Sequence, residues 1–440
     1  MKRNRIKTAL CLLLICALAL QLGGCAGGSP AGASKEPAGT GQTPPQTEAQ
    51  PALQKTVNLM AEIMPRKAEA APVDPAAAEA AADFTLRLFR AGNETDKNTL
   101  YSPLSVLCAL SMTANGAKGE TLTQMEKTLG LDRDRWNACF RAYMEALEND
   151  KSLKLANSVW FTADPRFTVE RSFLQTNADY YGADVYQAPF DESTLAEINN
   201  WVKEKTDGMI PEILDKIPPE ALMYLVNALA FDAKWTKPYT EYAVQEGEFN
   251  CADGTKRKVT LMYSEEEQYL EHEKAVGFLK PYEGGKYAFA ALLPKEGVSV
   301  EELLAALDGA ALYKLLTEPE YATVQAALPK FETEYGAELS ETLKNMGMEL
   351  PFDGFRADFS GLGISTGGNI FIGRVLHKTF LSVDEAGTRA GASTVVEMVD
   401  ECAPVDLKQV ILDRPFVYLL IDLETGLPFF IGTMLDPAQE

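Results

Sequence analysis

The sequence predicts an α+β fold, in which several helices pack around more than one sheet. Helix-start signals and strand-like apolar runs interleave along the chain without the regular β-α-β order of a doubly wound fold. Of the 440 residues, 46% are hydrophobic, which is enough to bury a substantial core. Length alone would suggest two or three domains.

The first 75 residues predict export and anchoring. Basic residues precede an apolar run at 9–20 that is too short to span a bilayer, so residues 1–24 are predicted to be a secretory signal peptide. The signal ends in Leu22-Gly23-Gly24-Cys25, which resembles a bacterial lipobox whose cysteine becomes acylated. An ordinary signal with a chance cysteine is the alternative. Residues 25–75 lack aromatic side chains and are rich in Ala, Gly and Pro, so we expect a disordered, lipid-anchored tether.

The next elements start the folded domain, predicted to cover residues 76–440. An Ala-rich helix begins it, and Ser102-Pro103 places a capping residue before a proline at the first helical position. Capping boxes begin at Thr194 and Ser299, each followed by an apolar stripe. Apolar runs at residues 225–231, 289–293 and 417–422 predict strands.

The segment at residues 385–398 carries an unusual alternation. From Thr388 to Met398 every second residue is small or apolar and uncharged, whereas the intervening face is more polar. This period of two suits a strand with one buried side. However, Gly and Ala are poor strand formers, and residues 385–387 resemble a flexible joint. By itself the segment is either an ordinary exposed loop or a loop able to become a central strand.

Motifs on both sides of this segment decide between the two interpretations. Downstream, residues 413–422 and 428–437 are typical of two closing strands. Upstream motifs lie at residues 98–105, 116–121, 156–160, 198–202, 206–210, 225–229, 328–331, 357–362 and 377–378. Together they resemble the serpins, serine protease inhibitors that trap proteases by inserting a cleaved loop. The resemblance covers nearly all of the chain after residue 76.

The resemblance implies one folding unit of several helices around three β-sheets, with an exposed reactive-centre loop. It implies a monomer that binds a target serine protease as a covalent acyl-enzyme complex, while the loop from Thr388 inserts into the main sheet. It places Ser102, Ser105, Asn227 and His377 in a polar cluster beneath that sheet, the shutter. Trp235 is placed at the top of the sheet, the breach, where insertion begins. A core histidine without a gating role, and a tryptophan that only packs, are the alternatives.

The hinge of the loop favours an inhibitor, because its inward positions are neither bulky nor charged. The hinge residues are Glu385, Gly387, Thr388, Ala390, Gly391, Ala392, Ser393 and Thr394. The family's usual span places the reactive bond at Glu401-Cys402. The stretch from there to Phe416 is longer than typical, so the bond falls within about residues 398–404. Glu401 would select a basic specificity pocket, whereas Cys402 or a nearby small residue would suit an elastase-like pocket.

Composition and residue types argue against other functions. The net charge of −22 disfavours nucleic acid as a partner. Neither a glycine-rich phosphate loop nor clustered metal ligands are found, so no cofactor is implied. The chain has only two histidines, His272 in an acidic stretch and His377, and no catalytic triad is recognised, so we do not expect an enzyme. The cysteines lack paired spacing, so no disulfide framework or zinc site is expected.

Three alternative functions stay open. A non-inhibitory serpin would be indicated by bulky or charged hinge residues, which this hinge does not have. A cysteine protease is a less common target than a serine protease. The signal and tether by themselves would also suit a lipid-anchored solute-binding lipoprotein. In each case the expected location is the outer side of a bacterial membrane, or the medium after secretion.

Overall fold

The computed structural model describes residues 55–66, 71–388 and 407–438, and these residues form a mixed α+β fold, as predicted. Within them the helices are α1 (Pro75–Gly92), α2 (Pro103–Ala114), α3 (Gly119–Leu129), α4 (Arg133–Ala146), α5 (Arg171–Tyr181), α6 (Glu192–Lys205), α7 (Val300–Ala306), α8 (Gly309–Thr317) and α9 (Ser340–Asn345). The strands are β1 (Val57–Asn58), β2 (Thr99–Tyr101), β3 (Leu153–Thr162), β4 (Phe167–Val169), β5 (Asp184–Ala188), β6 (Met223–Phe231), β7 (Ala233–Lys234), β8 (Val244–Asn250), β9 (Lys256–His272), β10 (Ala275–Pro281), β11 (Tyr287–Pro294), β12 (Glu320–Pro329), β13 (Phe331–Glu338), β14 (Gly363–Ser365), β15 (Leu376–Val383), β16 (Gly387–Thr388), β17 (Leu407–Ile411), β18 (Phe416–Asp422) and β19 (Pro428–Met434).

The helix starts follow local capping chemistry, with one correction to the sequence prediction. Ser102 occupies the N-cap position of α2, but its side chain makes no capping hydrogen bond. The predicted capping box at Ser299 is formed at the start of α7. The box predicted at Thr194 is wrong, because α6 begins earlier. Asp191 caps that helix by accepting hydrogen bonds from the backbone N–H groups of Ser193 and Thr194. The Asp191 carboxylate thus satisfies free N–H groups of a helix whose N-cap lies three residues before the predicted cap.

The largest sheet has nine strands because β9 is long enough to join two sets of partners. The strand order is β17-β12-β9-β10-β11-β18-β19-β2, with β8 also paired to β9. The 17 residues of β9 pair with β8 along their first part and with β10 along their last part. Its inner strands, β11, β18 and β19, are buried along their whole length. They therefore form the core on which the rest of the molecule packs.

The main sheet is divided into two halves that meet only at one end. One half has the order β1-β5-β3-β6, and the other has the order β13-β15-β16-β7. Only Asp232 separates β6 from β7, so the two halves share one continuous chain. Within the described part of the protein no backbone ladder joins β6 to β15. A two-stranded sheet of β4 and β14 completes the fold, so the described strands form the divided main sheet, the nine-stranded sheet and this small sheet.

The helix α6 covers the outer face of the β6 half. Its residues Ile198, Trp201 and Val202 pack with Trp160 of β3 and Val226 of β6 in a separate apolar cluster. Leu376, the first residue of β15, packs against the edge of the same cluster. The cluster therefore spans the open boundary between the halves at the end far from β7.

Part of the expected tether is docked on the domain, which corrects the sequence prediction for residues 55–66. β1 pairs with the edge strand β5, and Ile63 is only 2% exposed. Arg66 donates to the carboxylate of Asp179 from its backbone N–H at 2.7 Å and from its Nε at 2.8 Å. Burial alone would raise the pKa of Asp179, but these hydrogen bonds outweigh it and lower the pKa. An apolar anchor and a pairing edge thus order a segment whose composition indicated disorder.

Two further properties concern the described residues only. None of their helices is long and apolar enough to cross a membrane. Among the described residues, Cys108, Cys139 and Cys251 are buried free thiols.

Candidate functional site

The residues that close the main sheet form a tight turn at the end of β15. The backbone N–H of Asp384 donates to the carbonyl of Gly387 at 2.9 Å. The Asp384 carboxylate accepts from the N–H groups of Ala386 and Gly387, at 2.8 and 3.1 Å. After the turn, Thr388 pairs with Val383 of β15. The hinge is therefore already folded back on β15 as the start of a hairpin.

Thr388 lies between the two halves of the sheet. It pairs with Val383 on one side and with Ala233 of β7 on the other, and it is only 1% exposed. Its hydroxyl shares a hydrogen bond of 2.5 Å with the buried hydroxyl of Tyr282. At Gly387 a Cβ would overlap the carbonyl oxygen of Ala233, so only glycine fits there. The position at which insertion was predicted to begin thus lies in β16, between β15 and β7.

Residues 235–239, which follow β7, form the hinge-binding segment. This segment binds three consecutive carbonyl groups of the turn. The indole N–H of Trp235 donates to Asp384, its backbone N–H donates to Ala386, and the backbone N–H of Tyr239 donates to Glu385, each at 2.9 Å. Trp235 is 1% exposed and stacks on the ring of Tyr282, with centroids 4.4 Å apart. Packing and hydrogen bonding are therefore combined at the predicted breach tryptophan.

An ion pair holds the outer side of the turn. Lys330, which lies between β12 and β13, donates to the Glu385 carboxylate at 2.8 Å. Burial would raise the pKa of Glu385, but the hydrogen bond and charge of Lys330, together with a backbone hydrogen bond, outweigh burial and lower the pKa. Both side chains are partly exposed, so the pair contributes little to stability by itself.

Farther down the sheet, the predicted shutter residues occupy both sides of the open boundary. Ser105, in the first turn of α2, donates to Asn227 of β6, and Asn227 donates to Asn157 of β3 at 2.8 Å. Across the boundary, the backbone N–H of Ser102 donates to Nε2 of His377 on β15 at 3.0 Å. The start of α2 thus contacts both halves, and these contacts are made separately on each side.

The histidine of this cluster is neutral. Burial lowers the pKa of His377 to about 3, because no acidic partner offsets the loss of hydration. A neutral Nε2 can accept the Ser102 N–H, whereas a protonated ring could not. His272, by contrast, is partly exposed on β9, as its acidic surroundings suggested.

Some predicted residues lie outside the described part of the chain, and some contacts were missed. The hinge positions Ala390, Gly391, Ala392, Ser393 and Thr394, the bond Glu401-Cys402 and the lipidation residue Cys25 are not among the described residues. The role of Asp384 in the turn was not predicted, although an Asp before Glu-Ala-Gly is a recognisable Asx-turn signal. The contacts of Tyr239 and Tyr282 with the hinge were not predicted either, because no local signal exists for them.

The open boundary can accept one more strand. β15 has eight residues, and a central strand of that length would add about sixteen backbone hydrogen bonds.

With the divided sheet and the folded hinge described, the chain belongs to the serpin family. Residues 79–437 match the family model described as serpin (serine protease inhibitor). Serpins are mostly inhibitors of proteases rather than catalysts.

The relatives come from distant organisms. A serpin-like protein of Thermococcus kodakarensis, an archaeon, is 30% identical over 369 residues. The match covers 81% of this chain and 84% of the archaeal protein. Leukocyte elastase inhibitor A of Mus musculus is 29% identical over 375 residues. This match covers 80% of this chain and 97% of the mouse protein.

The structure is also similar to a thermophilic serpin, tengpin, that has been solved in two states. The native state is 46% identical, with a TM-score of 0.82, covering 87% of this chain and 100% of tengpin. The latent state is 45% identical, with a TM-score of 0.74, covering 84% and 100%. The described residues thus resemble the native arrangement more closely than the latent one.

Proposed function

We propose that this protein inhibits serine endopeptidases as a suicide substrate. A protease cuts the reactive-centre loop and forms an acyl-enzyme, and the released segment then inserts from Thr388 between β6 and β15. Insertion drags the protease across the inhibitor and distorts its active site before water can hydrolyse the acyl-enzyme. The outcome depends on whether insertion is faster than deacylation.

One observation carries the proposal. The turn at residues 384–387 is closed and Thr388 is already paired on both sides, while the rest of the boundary lacks a strand. Insertion therefore starts from a preformed nucleus, and each following residue adds hydrogen bonds without a new loop to close. This favours rapid insertion and hence an inhibitor over a non-inhibitory member of the family.

The test is a panel of serine proteases incubated with residues 55–440. Inhibition by this mechanism produces a complex that survives denaturing electrophoresis, and mass spectrometry of the released C-terminal peptide identifies the cut bond. We propose the cut at or near Glu401-Cys402. If every protease in the panel cuts the loop and none is retained, the proposal fails. Cysteine proteases in the same panel test the alternative target class.

We also propose that the protein is a bacterial lipoprotein held outside the cell by an acylated Cys25. The lipobox-like residues 22–25 and the basic, apolar start of the chain support this. Several acyl chains would bind the membrane firmly, at about 0.8 kcal/mol for each buried methylene. Wild-type protein expressed in a bacterium should incorporate labelled palmitate and sediment with membranes. Cys25→Ala should do neither, and unchanged labelling would exclude this anchor.

A further inference from the structure

A buried ion pair lies directly beside the segment that holds the hinge. Lys280, near the end of β10, and Glu266, on β9, have side chains 1% and 5% exposed, and Nζ lies 2.7 Å from Oε1. Ser264 also donates to this carboxylate, at 2.6 Å. Such a pair is expensive to bury and is often no more stabilising than apolar residues of the same volume. Its position therefore calls for a role other than stability.

The ammonium group of Lys280 reaches the hinge-binding segment in three ways. It lies 4.3 Å from the centroid of the Tyr239 ring and 5.4 Å from that of Trp235. It also donates to the backbone carbonyl of Lys237 at 3.3 Å. A desolvated cation over aromatic faces is a strong, directional contact.

The two ends of this segment are held differently. At the Trp235 end, the backbone N–H of Thr236 donates to Pro281, and Trp235 itself forms a bridge with Tyr282. At the other end, the hydroxyl of Tyr239 is buried without a hydrogen-bond partner, and its ring faces the ammonium group. Lys280 is therefore a buried polar contact at the end from which the Tyr239 N–H binds the Glu385 carbonyl. At the surface of the same segment, Lys237 also pairs with Glu267, at 3.2 Å.

We propose that the Glu266–Lys280 pair is a positioning element for loop insertion. Glu266 orients the ammonium group, the ammonium group fixes Tyr239, and Tyr239 keeps the hinge turn closed so that insertion starts from its nucleus. This proposal rests on the function proposed above, because it assigns a role in the same insertion step.

The test replaces both charges with apolar side chains of similar volume, in Glu266→Leu/Lys280→Met. The control is Glu271→Gln/Lys295→Gln. It removes a partly exposed ion pair (3.5 Å) between Glu271 of β9 and Lys295, which follows β11. Hydrogen exchange on the uncut protein should accelerate at least about fivefold in peptides covering residues 237–241 and 384–387, a factor that loss of a desolvated cation–π contact provides. Exchange in β18 and β19 should not change.

The same variants should separate insertion from recognition. The first readout is the number of inhibitor molecules that are cut and released for each protease molecule trapped. This number should rise at least fivefold in the double variant, while the rate of loop cleavage stays within twofold of wild type. Unchanged exchange at the hinge, or altered exchange with unchanged consumption, would overturn the proposal. If the double variant does not fold, Tyr239→Leu decides, because it removes the ring and leaves the ion pair, and it should show the same two effects.

The exchange measurement does not depend on inhibition. If wild-type protein traps no protease, the function proposed above fails by itself. The loop can then be cut by any protease that accepts it, and the rate at which heat stability rises afterwards reports insertion directly. A rate in the double variant equal to that of wild type would overturn the positioning role.

Discussion

Replacing Thr388 by arginine should convert the inhibitor into a substrate. Thr388 is 1% exposed, and its described side-chain partner is the neutral hydroxyl of Tyr282. An arginine at this point would place a charge without an acidic partner between β15 and β7. The penalty for burying such a charge is several kcal/mol, about 3–5. The uncut protein can avoid this penalty by opening the hinge turn to solvent, whereas insertion must bury the charge. Because about 1.4 kcal/mol changes a rate tenfold, insertion should slow by a hundredfold or more.

At several molar ratios of inhibitor to protease, the assay measures how much inhibitor is held in the stable complex and how much is cut and released. Thr388→Arg should be cut at the wild-type rate, because the reactive bond is unchanged, but it should yield almost no denaturant-stable complex. Thr388→Val should be intermediate, because it fits the site but leaves the Tyr282 hydroxyl without a partner, at about 1–3 kcal/mol. Ser382→Arg is the matched control, since Ser382 lies on the exposed side of β15 and bonds Glu332. An undiminished complex yield from Thr388→Arg would refute the hinge argument.

Three further perturbations have expected outcomes. Gly387→Ala should force the hinge turn open, because its Cβ would overlap the Ala233 carbonyl, and calorimetry should show a melting temperature lower by a few degrees (~1–3 kcal/mol). His377 is neutral with a pKa of about 3, below its unfolded value, so the stability it contributes is complete above pH 6.5 and is lost as pH falls toward 3. Acidification from pH 6.5 to 5 should cost about 2 kcal/mol in wild type and less in His377→Gln, measured by urea unfolding. Asp179→Ala should release the docked segment around Arg66, and limited proteolysis should then cut faster between residues 55 and 70.

Each of these has a control within the chain. Gly336→Ala adds a Cβ on β13 whose nearest neighbour is 3.9 Å away, so it should be tolerated. His272→Gln, at the partly exposed histidine of β9, is the matched control for His377→Gln. Glu62→Ala removes an ion pair in which both side chains are more than half exposed, so proteolysis should be unchanged. Equal effects in a variant and its control would contradict the corresponding explanation.

Local signals predicted the element order well where a single stretch of chain decides the outcome. The cap at Ser102, the capping box at Ser299 and the strand runs all depend on residues within one element. The capping box at Thr194 failed because another good cap, Asp191, precedes it, and propensity cannot rank two adjacent candidates. The docked segment at residues 55–66 was missed because its order depends on the edge of β5 and on Asp179, not on its own composition.

The sequence by itself determined the family and the composition of the hinge. Both depend on which side chains follow one another, and small residues at alternate positions are visible without coordinates. Only the tertiary structure decided that the turn is closed, that Thr388 is paired on both sides, and that β6 and β15 are apart. The contacts responsible join Thr388 to Tyr282 and Asp384 to Trp235, across 106 and 149 residues of chain. Contacts between residues so far apart arise from folding of the whole domain, which no local pattern encodes.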